Sequence, residues 1–214
     1  VGIAVTADII GSRQLADRAE AQRAFDETIA RVESALPLAE VRLHPTVGDE
    51  QQGVYPTLPA ALASILLLRL ALPEGIEFRY GIGIGEIGVI ASEASSAGIP
   101  EGPGWWAARQ AIEHVGRLER RSAPHARTWV VAHGAEGERS REDTRMANAY
   151  LLARDEIVGA MSARARRLTY GRCLGVRQGD LADDEGITQS AVSQALAAAG
   201  AASVVEGFRL LVDR

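Results

Sequence analysis

Two acidic positions close apolar runs in the first quarter of this chain. Asp8 follows Val1-Gly2-Ile3-Ala4-Val5-Thr6-Ala7, and Asp49, with Glu50 beside it, lies in Val47-Gly48-Asp49-Glu50. A carboxylate at a strand end is exposed on a rigid support, and two that converge can hold Mg²⁺ or Mn²⁺ against the phosphates of a nucleotide. Asp is also common at strand ends because its side chain caps turns, so the spacing leaves a purely structural role open. A second polar group, Thr188, Gln189, Ser190, Ser193 and Gln194, lies at the start and along one side of a short helical pattern. Gln and Ser side chains can read base edges in a major groove, and a helix N-terminus favours phosphate.

Elements able to carry the first group are legible in the hydrophobic pattern. Gly2 to Ile10 is a β-branched run delivered into the turn Gly11-Ser12-Arg13, and Phe25, Ile29, Val32 and Leu36 then fall at helical spacing over residues 17–36. Val41, Leu43 and Val47 alternate with polar residues up to Gly48-Asp49-Glu50, which predicts a hairpin with the acids at its tip. Residues 59–72 read as a helix apolar enough to be largely covered, and 78–85 as a strand in which Ile alternates with Gly, leaving one face bare for a backbone or ligand. A helix from Trp105 to Arg120 and a strand from Thr128 to Ala132 follow. The order strand, helix, hairpin, helix, strand, helix, strand predicts an α+β sandwich of ferredoxin-like or palm type.

From Thr144 onward the chain reads as successive helices, which places a boundary near residue 140: an α+β domain over 1–140 and a helical one over 141–214. Within Gln178 to Ala197, Ala182 precedes Gly186 by four positions, with Ile187, Val192 and Leu196 following, the spacing of a helix-turn-helix. Thr188 caps its second helix. Residues 150–214 hold eight Arg and eight Asp or Glu, and the cluster Arg164, Arg166, Arg167, Arg172 and Arg177 can supply phosphate attraction if it lies on the groove side. A dimerisation module of the same shape is the competing reading. The tail from Val204 to Leu211 fits either a β-wing or a last helix.

Composition narrows the chemistry. The chain has 214 residues, 47% hydrophobic and 24% charged, and its cations are all Arg, with no Lys. Walker-type and Schiff-base mechanisms, which need a lysine amine, are excluded. The one cysteine, Cys173, excludes an intramolecular disulfide and a Cys-rich zinc site. The longest apolar stretch, Leu58 to Leu72, is short for a bilayer and contains Arg69, so a soluble cytoplasmic protein without membrane contact is expected. His44, His114, His125 and His133 show no ligand spacing.

Taken together, the blocks Ala7-Asp8-Ile9-Ile10-Gly11-Ser12-Arg13, Gly48-Asp49-Glu50-Gln51-Gln52-Gly53, Arg79-Tyr80-Gly81-Ile82-Gly83-Ile84-Gly85 and Gly102-Pro103-Gly104-Trp105-Trp106-Ala107-Ala108-Arg109 resemble the SatD family over nearly the whole chain, the C-terminal helix-turn-helix included. More distantly they are similar to class III nucleotide cyclases and GGDEF-type palm domains. That resemblance implies metal ligation by Asp8 and Asp49, with Glu50 beside them, and nucleotide contacts from Gly11, Ser12, Arg13 and Arg109. Trp105 stands where the cyclase pattern has Asn, and Gln51 where it has Phe. Trp cannot reproduce the hydrogen bonds of an amide. Arg109 can pair with a phosphate or, within its helix, with Glu113; Trp105 and Trp106 can stack a base or anchor the helix. The expectation is a DNA-binding regulator, a homodimer, that senses a metal or nucleotide through its cyclase-like domain. The alternative is a metal-dependent nucleotide cyclase or nucleotidyltransferase.

Overall fold

A computed structural model describes residues 2–11, 18–46, 50–92, 95–133 and 138–212. Asp49, Ser12 and Arg13 lie outside the described residues. The first strand, β1 (Gly2–Ile9), sits at the centre of a five-stranded sheet because both its faces are covered. Ile3, Val5, Ala7 and Ile9 point to the main core, and Ala4, Thr6 and Asp8 to the opposite face. Helix α1 (Arg18–Ala35) lays Phe25, Ile29 and Val32 on the core face, and β2 (Val41–Pro45) and β3 (Gln51–Tyr55) form the expected hairpin. The Thr46 N–H donates to the Glu50 carbonyl (3.0 Å) across the base of its tip.

Thr57 caps α2 (Leu58–Ala71) by accepting from the Ala60 N–H, and Pro59 stands in the first turn, where its missing donor costs nothing. Strand β4 (Phe78–Gly85) returns antiparallel to β1, and the Phe78 ring stacks on Phe25 at 3.6 Å between centroids. The unit β1-α1-β2-β3-α2-β4, with sheet order β2-β3-β1-β4 and every pair antiparallel, is the ferredoxin-like arrangement expected from the sequence.

Beyond it the order departs from expectation. A separate hairpin, β5 (Gly88–Ser92) and β6 (Ser95–Glu101), intervenes before α3 (Pro103–Arg121), and β7 (Thr128–Ala132) then adds to the sheet parallel to β4. The bare face of the Gly-alternating strand is filled by the α3 backbone. A Cβ on Gly83 would lie 1.9 Å from the Gly104 carbonyl oxygen, and one on Gly81 2.2 Å from that of Ala108, so glycine sets how deeply α3 sits.

Helix α4 (Glu138–Gly159) runs beside β7 and leads into α5 (Ala163–Cys173), α6 (Gln178–Glu185), α7 (Gln189–Ala198) and α8 (Ala201–Val212). The tail is therefore a helix, not a wing. In α2 every residue from Ala60 to Leu70 is buried, because the sheet and α1 cover one side while α5 and α8 cover the other. One buried cluster runs from Ile3 to Phe208. Among the described residues no single helix is long and apolar enough to cross a membrane.

Candidate functional site

Asp8 lies on the α3 face of β1, its side chain 37% exposed, between two neighbouring strands. On one side its register partner is Arg79 of β4, whose Nη1 approaches Asp8 Oδ2 at 3.8 Å. Arg79 is held by Glu119 of α3, whose Oε2 accepts from both Nε and Nη2 at 2.6 Å. On the other side, the β1–β3 register ends at Ala7 opposite Gln51, and Glu50 is the residue just ahead of β3. The Glu50 carboxylate accepts from Arg109 Nη1 (2.9 Å) and from Gln52 Nε2 (2.8 Å).

Arg109 thus pairs with the residue just ahead of β3 and not with Glu113 in its own helix. The depth of α3 over Gly81 and Gly83 is what brings it within reach, and its side chain stays 64% exposed, free to exchange partners. Of the adjacent tryptophans at the start of α3, Trp106 is 56% exposed and meets His133 edge-on, whereas Trp105 is half-buried with its indole N–H unpartnered. Gly11 is exposed with φ +67°, a left-handed turn that carries the chain off β1 just past Asp8.

The carboxylates of Asp8 on β1 and Glu50 just ahead of β3, each beside an arginine, are hard oxygen donors next to phosphate-pairing cations. Mg²⁺ is typically held by one or two carboxylates plus substrate phosphates, so this donor set fits Mg²⁺ or Mn²⁺. Among the described residues no group of three or more His, Cys, Asp or Glu side chains converges as a complete metal cage.

The charged groups extend inward from this site. Arg127, ahead of β7, pairs with Glu119 Oε1 (3.4 Å) and with Glu77 (2.5 Å), and Glu77 lies 3.9 Å from Arg166 of α5. Deeper still, Asp155 of α4 accepts from the guanidinium groups of Arg69 and Arg154, and its other oxygen accepts the Arg127 and Thr128 N–H groups at 2.7 and 2.8 Å. Burial by itself would raise the Asp155 pKa; Arg69 and Arg154 more than reverse it and hold the carboxyl below its ordinary range. Arg79, Glu119 and this buried network were not found from sequence, since strand register and helix depth create them. Only Arg79 stood inside a block already singled out.

At the C-terminus the predicted helix-turn-helix spacing gives two helices joined by a tight turn. Gly186 caps α6 with φ +63°, the Ile187 N–H donates to the Ala182 carbonyl (2.9 Å), and Thr188 accepts from the Ala191 N–H (3.2 Å). Val192 and Leu196 are buried, and Gln189, Ser190, Ser193 and Gln194 are exposed. The arginine cluster, however, is divided. Arg167 and Arg164 both pair with Glu185 of α6, Arg166 faces Glu77, and Arg172 donates to the Val176 carbonyl. The exposed charges of α6 are Asp180, Asp183 and Asp184.

Fold and site define the class: a ferredoxin-like α+β sandwich with one acidic residue on its first strand and another just ahead of β3. The SatD family model matches residues 2–160, and the chain belongs to that family. The match ends with α4, so α5–α8 lie beyond it, although the resemblance read from sequence included them. No curated protein matches the chain in sequence. Solved structures that resemble it include a bacterial light-regulated adenylyl cyclase (15% identity, TM-score 0.44, covering 59% of this chain and 41% of that one). Adenylate cyclases from Trypanosoma brucei in their monomeric state follow (18% identity, TM-score 0.41, 53% of this chain and 68% of that one). The adenylyl cyclase CyaB from P. aeruginosa gives 13% identity and a TM-score of 0.38 over 56% of this chain and 81% of that one. The chain thus spans less than half the length of the light-regulated cyclase.

Proposed function

We propose that this protein binds a nucleotide through a divalent cation and belongs, by chemistry, with metal-dependent nucleotide cyclases and nucleotidyltransferases. The reading rests on one arrangement: Asp8 near the end of β1 and Glu50 just ahead of β3, with Arg79 beside the first carboxylate and Arg109 beside the second. In it Asp8, Glu50 and Asp49 hold Mg²⁺ or Mn²⁺. Arg109, exchanging Glu50 for a phosphate, together with Gly11, Ser12 and Arg13, holds the nucleotide. When bound, the cation supplies Lewis-acid polarisation of a phosphate oxygen. Thermal unfolding with Mn²⁺ and a panel of nucleoside triphosphates, run beside a pyrophosphate-release assay, tests this. At a hundredfold excess over Kd the folded state gains about 2.7 kcal/mol, a rise of roughly 5–10 °C that Asp8→Asn abolishes. No shift and no pyrophosphate with any triphosphate overturns it.

A second reading, a homodimeric DNA-contacting regulator, is favoured by the outward row Gln189, Ser190, Ser193 and Gln194 on α7. The acidic outer face of α6 opposes phosphate attraction, so affinity in this reading rests on polar base contacts and falls only shallowly with salt. Fluorescence anisotropy with a random-sequence DNA library at low and moderate salt decides it. Binding lost in Gln189→Ala supports it; no binding at low salt removes it and leaves the metal–nucleotide reading untouched.

A further inference from the structure

Six side chains of alternating charge run from the Asp8 site to the helical part: Asp8, Arg79, Glu119, Arg127, Glu77 and Arg166. Successive contacts are 3.8, 2.6, 3.4, 2.5 and 3.9 Å. They cross β1, β4, α3, the segment ahead of β7, the segment ahead of β4, and α5. Of the interior members, Arg127, Glu119 and Arg79 are 11%, 14% and 17% exposed and Glu77 34%, so screening by salt is weak as far as Arg127 and stronger at Glu77. The last member is incompletely satisfied, since Arg166 Nε is buried without a hydrogen-bond partner among the described residues.

We infer that this row couples the Asp8–Arg79 ion pair to the anchoring of α5. The physical reason is that each inner group is shared between two opposite neighbours. Neutralising Asp8 removes one pull on Arg79, which then engages Glu119 more fully. Glu119 gives up Arg127, Arg127 takes more of Glu77, and Glu77 releases Arg166. The helix that carries α6 and α7 is thereby loosened. A cation arriving at Asp8 produces the same first step, because it both claims the carboxylate and repels the Arg79 guanidinium. The inference bears on regulation of the site proposed above, but its test needs no ligand.

The test is a double-mutant cycle read by hydrogen–deuterium exchange on the full chain: wild type, Asp8→Asn, Glu119→Gln and the double variant. Asp8→Asn should speed exchange of the 162–173 amides about two- to tenfold while leaving the 18–35 amides unchanged, and in the Glu119→Gln background that acceleration should vanish. Unchanged exchange at 162–173, an equal acceleration in both backgrounds, or a uniform rise over 18–35 and 162–173 overturns the coupling. A positive cycle with no Mn²⁺ or nucleotide thermal shift in wild type keeps the coupling and removes the ligand reading; a ligand shift with a negative cycle does the reverse.

Discussion

Replacing Asp155 tests whether α4 is fastened to the sheet by a buried charge. The carboxylate is fully buried and takes five hydrogen bonds: one from Arg69 and two from Arg154 on Oδ1, and the Arg127 and Thr128 amides on Oδ2. Asp155→Ala leaves two buried guanidinium groups without their anion, which typically costs about 3–5 kcal/mol. It also orphans two backbone donors at about 1–3 kcal/mol each, a cost that overlaps the first because the same opening admits water. The sum is about 4–7 kcal/mol against a total stability of roughly 5–15, a fall in Tm of about 10–25 °C. The assay is urea denaturation of wild type and variant between pH 3 and 8. Because the folded-state carboxyl is held below its ordinary range, its contribution is complete above the ordinary carboxylate pKa of about 4. It is lost as pH falls through the depressed folded value. The wild-type advantage should therefore be flat from pH 5 to 8 and shrink only in stronger acid. A difference under about 1 kcal/mol, or one that shrinks between pH 5 and 8, refutes the reasoning.

Three further outcomes follow from the same geometry. Gly83→Ala drives a Cβ into the Gly104 carbonyl and the Ala108 amide nitrogen, at 1.9 and 2.4 Å, so α3 must lift. We expect a loss of at least about 1–3 kcal/mol in urea and of the Arg109–Glu50 pairing, while a variant as stable as wild type would show that α3 is not seated on glycine. Burial pushes the Cys173 thiol up to about 12, so iodoacetamide at pH 8 should leave the folded chain unmodified and label it readily in urea; rapid labelling of the native state counts against the packing of α5. Gly186→Ala forces a side chain to φ +63° at the turn between α6 and α7 and should cost about 1–2 kcal/mol by thermal melt, with Gly186→Asn recovering part of it, and equal losses in both variants would remove the left-handed turn as the cause.

What the sequence disclosed and what it withheld divide along a physical line. Elements built on periodic burial were legible: Phe25, Ile29 and Val32 gave α1, and the unbroken apolar run of α2 foretold a covered helix. The β5–β6 hairpin was not, because Gly88 to Glu101 is rich in Gly, Ser and Ala and carries little alternation for a period to appear in. Asp8 was conspicuous at its strand end, yet its neighbour Arg79 depends on register across two strands distant in sequence. Arg109 met Glu50, 59 residues away, because Gly81 and Gly83 let α3 descend, a depth that no helix-local pairing rule includes. The arginine cluster looked like a phosphate-binding patch when read as composition. Arg164 and Arg167 are taken up by Glu185 and Arg166 by Glu77, partners that only tertiary packing supplies.

The way α4 meets the sheet constrains any account of how a site at Asp8 is read elsewhere in the molecule. β7 is an edge strand, and an open edge would present unpaired backbone groups to other chains. Here Asn148 donates to the Val130 carbonyl and accepts from its N–H, at 2.9 and 2.8 Å, while Asp155 serves Thr128, so a helix takes the place of the missing strand. The α5–α8 layer begins at the end of that helix and closes over the outer side of α2, which has no solvent-facing side of its own. The helices therefore do not swing on a linker. A change at Asp8 reaches α7 only by altering packed and ion-paired contacts, of small amplitude and with discrete partners, which is the kind of change a shared guanidinium such as Arg79 or Arg127 can make.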